Sequence, residues 1–85
     1  SVKVNTKDII LKAMLENKDR IWWSARDFQN GKYFVGYEAS ARMSEIVILY
    51  HGLVNAGKDG RFRTLSINWK NKKYVKEMKK LLGIG

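Results

Sequence analysis

The stretch Gly36–Val54, GYEASARMSEIVILYHGLV, decides how the rest of the chain is read. Its spacing predicts one helix over residues 36–51, followed by a turn into a strand. With Ala39 at one edge of a helical stripe, Met43, Ile46 and Tyr50 fall on the same face at i+4, i+7 and i+11, with Val47 on its flank. That face is expected to be core. The opposite side carries Tyr37, Ala41, Ser44, Glu45 and Ile48, mostly small or hydrogen-bonding side chains that let the helix approach another surface closely. His51-Gly52 should stop the helix, because glycine accepts the left-handed conformation that follows a last turn. Leu53-Val54 then open an extended segment.

Upstream, Tyr33, Phe34 and Val35 are too apolar for a free loop, and Phe34 or Val35 is expected to pack as a staple under the helix start. Before them, Ser24-Ala25-Arg26-Asp27 has the form of a capping box, which predicts a short helix from Ala25 to about Gln29 with Phe28 inward. Asn30-Gly31 ends it. Ile21-Trp22-Trp23 reads as a short strand in which one tryptophan must face outward, Trp22 being the candidate. A first helix begins at Asn5 or Thr6, both good caps, with Ile9, Ile10, Ala13 and Met14 as its apolar stripe and Lys7, Lys12 and Glu16 outward. Residues 2–5 read equally as a strand or as an arm.

Downstream, residues 55–61 are rich in turn formers, and Phe62–Trp69 alternates. Leu65, Ile67 and Trp69 share one face; Phe62, Thr64 and Ser66 share the other. A half-buried strand paired with Leu53-Val54 through a hairpin turn is the expectation. Asn71 caps a final helix to Leu82, with Tyr74, Val75, Met78, Leu81 and Leu82 on one stripe, lysines on the rest, and Gly83 as its stop.

At 85 residues the chain is expected to be a single small α+β domain, with a core over about residues 6–69 and a basic amphipathic helix over about 71–82. Hydrophobic residues make up 45% and aromatics 12%, enough for a packed core. There is no cysteine, so disulfides and thiolate metal sites are excluded. No apolar run approaches the roughly 18 residues of a spanning helix, and no signal-peptide pattern opens the chain. The expectation is a soluble intracellular protein, cytoplasmic (nucleoid-associated) or nuclear and not secreted, with no membrane partner. Beginning at Ser1 rather than Met, it reads as a trimmed polypeptide or a piece of a longer one.

The net charge of +9 is unevenly placed. Residues 1–30 carry six basic and four acidic groups, residues 31–60 three of each, and residues 61–85 eight basic and one acidic. A field concentrated at one end favours a polyanion, nucleic acid before an anionic membrane.

The order of helix, short strand, helix, helix, strand, hairpin turn, strand and helix resembles the winged helix-turn-helix superfamily of DNA-binding domains over roughly residues 6–69. Ala41-Arg42-Met43-Ser44-Glu45-Ile46 followed by Gly52-Leu53-Val54 is similar to that superfamily's recognition helix and its exit, and Lys58-Asp59-Gly60-Arg61-Phe62-Arg63 looks like its wing. The Asn30–Val35 connection and the basic C-terminal helix depart from the minimal pattern. The resemblance implies sequence-preferring binding of double-stranded DNA, as a transcriptional regulator or the DNA-binding part of a larger protein. The helix would lie in the major groove and the wing, residues 55–63, on the backbone or in the minor groove. Tyr37, Glu38, Ser40, Ala41 and Ser44 become base-reading candidates, Ala41 also as a contact for a thymine methyl. Arg42 suits a phosphate or a pair with Glu38 or Glu45 equally. Lys58, Arg61 and Arg63 are phosphate candidates, and Lys70, Lys72 and Lys73 are expected to extend their patch.

Two other readings remain open. One is a protein-interaction or homodimerisation module working through the C-terminal helix. The other is an RNA or single-strand binder stacking bases on Trp22 or Tyr33. An enzyme is not expected. His51, the lone histidine, falls at a helix end, the carboxylates form no paired or metal-ligand constellation, and no glycine-rich phosphate loop joins a strand to a helix. No cofactor, metal or small-molecule substrate is implied.

Overall fold

The computed structural model describes residues 5–84, and the arm or strand expected over residues 2–5 lies almost wholly outside them. The chain is an α+β domain of four α-helices and a three-stranded antiparallel sheet, 34 × 31 × 24 Å in extent. The elements run α1 (Thr6–Glu16), β1 (Trp23–Ser24), α2 (Ala25–Gln29), a 3-10 turn (Gly31–Tyr33), α3 (Ala39–Leu49), β2 (Val54–Asp59), β3 (Phe62–Ile67) and α4 (Lys72–Leu81). The sheet order is β1-β3-β2, so the last strand in sequence is the central one.

The helix boundaries follow local chemistry. Asn5 caps α1, its Oδ1 accepting from the Lys7 N–H at 2.9 Å. Ser24 and Asp27 form the expected capping box on α2, with Asp27 accepting from the Ser24 N–H at 2.7 Å. Asn71 caps α4 by accepting from the Tyr74 N–H. Gly83, at φ 72, closes α4 in a Schellman arrangement in which Ile84 N–H donates to the Lys79 carbonyl and Gly83 N–H to that of Lys80.

Helix α3 is shorter than the residues 36–51 expected of it. Gly36 sits at φ 133, outside the helical region, and Glu38 occupies the cap position without a side-chain bond. Tyr37 and Glu38 therefore lie on the turn that leads into the helix, where the Tyr37 carbonyl accepts from Gln29 Nε2 at 3.3 Å. The core face is as expected, with Ala39, Met43 and Ile46 buried and Tyr50 and Val47 packed at its border. At its other end the helix stops at Leu49 with Tyr50 as its C-cap, earlier than the expected His51-Gly52 stop, and Gly52, at φ 94, lies in the turn that follows. Of the staple candidates, Val35 packs on the core while Phe34 is exposed and meets Tyr37 edge-to-face at 5.5 Å.

On α1 the buried stripe is rotated from the expected one: Ile10, Leu11, Met14 and Leu15 are buried and Ile9 is exposed. The helix is covered by α3 and β3 and also by α4, which widens its apolar arc. Val75 and Met78 are buried within the same chain, with Tyr74 and Leu82 at the border of the core, whereas Leu81 is exposed.

The hairpin differs most from expectation. Residues 55–59 are not turn but strand, paired with β3 from Val54↔Ile67 to Asp59↔Phe62, and the loop is only Gly60-Arg61. Gly60 has φ 61 and comes first in the loop, the glycine position of a type II′ turn. A run of Asn, Ala, Gly, Lys and Asp is poor strand material by propensity. It is drawn into the sheet because β3 offers it a complete row of backbone partners.

Strand β3 does not alternate in burial, since Thr64, Leu65, Ser66 and Ile67 are all buried. Trp23 covers the core side beside Leu65, stacked on Phe28 at 5.5 Å and edge-on to Tyr33 at 5.1 Å. Trp22, of opposite parity, crosses the outer face. Its six-membered ring lies 3.4 and 3.5 Å from where a Cβ on Gly57 would sit, and Thr64 Oγ1 lies 2.9 Å from the same point. Asn55 closes this face further by donating to Ser66 Oγ at 3.3 Å.

A methyl group at Gly57 has no room, and β-branched Thr64 has little freedom to turn aside. Gly57→Ala should cost about 1–3 kcal/mol in chemical denaturation. Part of that loss should return in Gly57→Ala/Thr64→Ala, and additive single-mutant costs would contradict the contact. Asn71→Ala should cost about 1 kcal/mol through the lost cap, read as a fall in melting temperature.

Candidate nucleic-acid interface

The outward side of α3 presents Ala41, Ser44, Glu45 and Ile48, preceded by Tyr37 on its turn. Its hydrogen-bonding capacity is smaller than the residue types suggest. Ser44 Oγ donates to the Ser40 carbonyl at 3.1 Å, so its proton is already used within the helix. Arg42 is drawn into a pair with Glu45, Nη2 to Oε1 at 2.8 Å, and Lys7 reaches the other oxygen of Glu45 at 3.2 Å. Of the two roles open to Arg42 from its position, the intradomain pair is the one present; its Nε is buried without an acceptor among the described residues. Glu38 is exposed at the cap position, Ser40 is half-buried, and Ala41 is exposed. Tyr37 is 83% exposed and Ile48 77%, so the face is largely apolar and nearly neutral.

The hairpin carries the positive charge on its own terms. Lys58 and Arg63 are directly paired across the two strands, so their side chains share one face, and Arg61 stands at the tip. Like charges placed opposite each other are unfavourable. Among the described residues none of the three is in an ion pair. Arg61 lies over the Phe62 ring at 5.4 Å, and Arg26 from α2 over the same ring at 5.3 Å, which brings the short helix and the tip together. Arg26 gave no signal of this role in the sequence, because only the tertiary fold brings α2 to the hairpin tip.

Lys70, Lys72 and Lys73 are exposed, but they follow the far end of β3. Its length, six residues rising about 3.3 Å each, holds them some distance from Arg61. They do not continue the hairpin patch. Lys72 instead lines a separate hollow of about 340 Å³ with Lys18, Lys76, Lys79 and Trp69. Lys18 and Lys79 lie over the Trp69 ring at 5.8 and 5.9 Å. Lysines at positions 72, 76 and 79 fall on one helix face, a spacing that was visible in the sequence, although its meeting with Lys18 and Trp69 was not.

Of the aromatic candidates, Tyr33 is half-buried, edge-on to Trp23, with its hydroxyl 3.4 Å from Asn17 Oδ1, which makes it a core residue rather than a stacking surface. His51 is exposed and joins Val54 in an isolated bridge. Among the described residues no group of three or more His, Cys, Asp or Glu is placed to hold a metal ion, and no helix is long and apolar enough to cross a membrane. No family model matches the chain, and comparison with curated proteins and with solved structures returns no significant match.

Glu45 holds two cations in check. Glu45→Gln should release both at a stability cost below about 1 kcal/mol, since the pairs are partly exposed, and should move elution from a heparin column to higher salt. Unchanged elution would show that Arg42 and Lys7 stay out of reach of a polyanion.

Proposed function

We propose that the chain is a winged-helix domain that binds double-stranded DNA, as a transcriptional regulator or as the DNA-binding part of a larger protein in the nucleoid or nucleus. The observation that carries this reading is the unneutralised Lys58–Arg63 pair across the hairpin, with Arg61 at its tip. Two cations held side by side by backbone register gain from an anion between or beside them, and a phosphate supplies one. The topology supports the reading: α3 is held by its Ala39–Met43–Ile46 face, with the β1-β3-β2 sheet fixing the hairpin beside the helical layer. In this arrangement α3 enters the major groove and the hairpin meets the backbone or the minor groove.

The distribution of charge divides the work. The outward side of α3 has no free cation, so affinity comes from Lys58, Arg61 and Arg63, and from the lysines of α4 where the duplex extends to them. Close approach at Ala41, with Tyr37 and Ser40 beside it, supplies base contacts and the choice of sequence.

A second reading rests on the same helix. Phe34, Tyr37, Ala41 and Ile48 form an exposed, mostly apolar strip, which is unusual for a surface whose only partner is DNA and suits a protein partner. Salt separates the two readings, because phosphate contacts release counterions and apolar contacts do not.

Arg61→Ala/Arg63→Ala should weaken binding to all duplexes alike and flatten the log–log salt dependence by about 1.8, or 0.9 for each phosphate lost, in mobility-shift titrations at several salt concentrations. Ala41→Glu, on an exposed helix position, should abolish duplex binding at moderate salt while leaving the melting temperature within a few degrees. Duplex binding that survives all three substitutions would refute the assignment of α3 and the hairpin. In that case Ile48→Glu disrupting a salt-insensitive protein complex would favour the second reading.

A further inference from the structure

The outer face of the sheet carries a second surface, on which Trp22, Gly57 and Thr64 have the opposite strand parity to Lys58 and Arg63, with Lys58 at its rim. An open groove of about 980 Å³ runs between this face and the α2 to 3-10 segment; this is at the upper end of the range of about 300–1,000 Å³ common for ligand sites. Its floor is Trp22, which is 49% exposed. The six-membered ring of the indole is seated over Gly57. Arg20, Arg26, Lys32 and Lys58 line the groove, against Asp27 and Asp59. Asp27 is already neutralised by Arg20 and by the Ser24 N–H.

Trp22 differs from the other two tryptophans in being available. Trp23 is buried with Arg20 over its ring at 4.3 Å, and Trp69 is covered by Lys18 and Lys79. No cation lies over Trp22 among the described contacts, so its exposed surface is an unoccupied aromatic platform inside a groove of net positive charge. A half-exposed indole seated over the backbone of β2, with guanidinium and ammonium groups nearby, matches a base flanked by phosphates.

We propose that this groove binds an unpaired nucleotide stretch, with a base stacked on Trp22 and its flanking phosphates met by Arg26 and Lys32. A base within a duplex cannot reach this platform, because both of its faces are already stacked. The site therefore takes single strands, and its floor lies on the face of the sheet opposite Arg63, with Lys58 at the rim between the two surfaces. In Trp22 and Arg26 it uses residues that the duplex reading leaves free.

The test is fluorescence-anisotropy titration of the full chain with 12-nucleotide dT and rU oligonucleotides and with a duplex of mixed sequence. Trp22→Ala should weaken single-strand binding about 5- to 100-fold, the loss associated with one stacked base, and leave duplex affinity unchanged. Trp22→Phe should keep most of the affinity. Because Trp22→Ala also uncovers Gly57, Lys32→Glu serves as an independent variant at an exposed position, and it should weaken oligonucleotide binding several-fold without altering the melting temperature. Quenching of intrinsic tryptophan fluorescence by dT should disappear in Trp22→Phe. Preference between the dT and rU arms identifies whether the strand is DNA or RNA, and either supports the groove. Oligonucleotide affinity unchanged in both Trp22→Ala and Lys32→Glu, or quenching that persists in Trp22→Phe, would overturn the proposal. Failure of duplex binding with Trp22-dependent single-strand binding intact would remove the duplex reading alone.

Discussion

Strand β1 begins at Trp23 rather than at the expected Ile21, and Trp22 in the extended segment just before it points to the opposite face, because side chains alternate along an extended backbone. Trp23 goes into the core against Phe28 and Tyr33, and Trp22 crosses the outer face onto Gly57 and Thr64. Between them they clamp β3 from both sides, which is why four consecutive residues of that strand are buried in so small a domain. Among the described residues β3 is the only strand paired with β2, so the position of the hairpin relative to the helices depends in large part on this clamp. A two-residue strand, β1, thereby controls the placement of a hairpin several times its size.

The other end of the hairpin is fixed by polar groups. The Gly52 carbonyl accepts from Asn68 Nδ2 at 3.2 Å and from Asn71 Nδ2 at 3.3 Å, while Asn68 N–H donates to the Leu53 carbonyl at 2.8 Å. One backbone oxygen thus gathers the exit of α3, the end of β3 and the cap of α4. With both ends held, the backbone register keeps Lys58 and Arg63 opposite each other near the tip. Charge and shape are then separated in space: the outward side of α3 is slim and nearly neutral, while the positive groups sit on the hairpin and on α4.

Much of the helical framework was legible in the chain. Asn5, the Ser24–Asp27 box, Asn71 and Gly83 act over three or four residues, and local rules of that range apply before any tertiary contact forms. The Ala39–Met43–Ile46 face was legible for the same reason. The start of α3 was less legible, since no capping side chain marks Glu38 as its boundary and the apolar periodicity alone suggests a longer helix. The extent of β2 was not legible, because its residues are poor strand formers and only the free edge of β3 recruits them. Nor was the rotated stripe of α1, which depends on α4 arriving from the far end of the chain. For the candidate site, Lys58, Arg61 and Arg63 could be singled out from their place near a turn, but the partnership of Arg42 with Glu45 and Lys7 could not be chosen over its alternatives.

Local chain chemistry sets the helix caps, the buried face of α3, the concentration of positive charge after Gly60 and the opposite orientations of Trp22 and Trp23. These follow from backbone geometry and from short-range bonding between neighbours in the chain. Tertiary structure decided which cations remain unpaired, which tryptophan offers an open ring and how far the hairpin extends. Those outcomes depend on groups that are distant in sequence, Lys7 with Glu45, Trp22 with Gly57, and Arg26 with Phe62. Their contact energies exist only once the three-stranded sheet has brought them together.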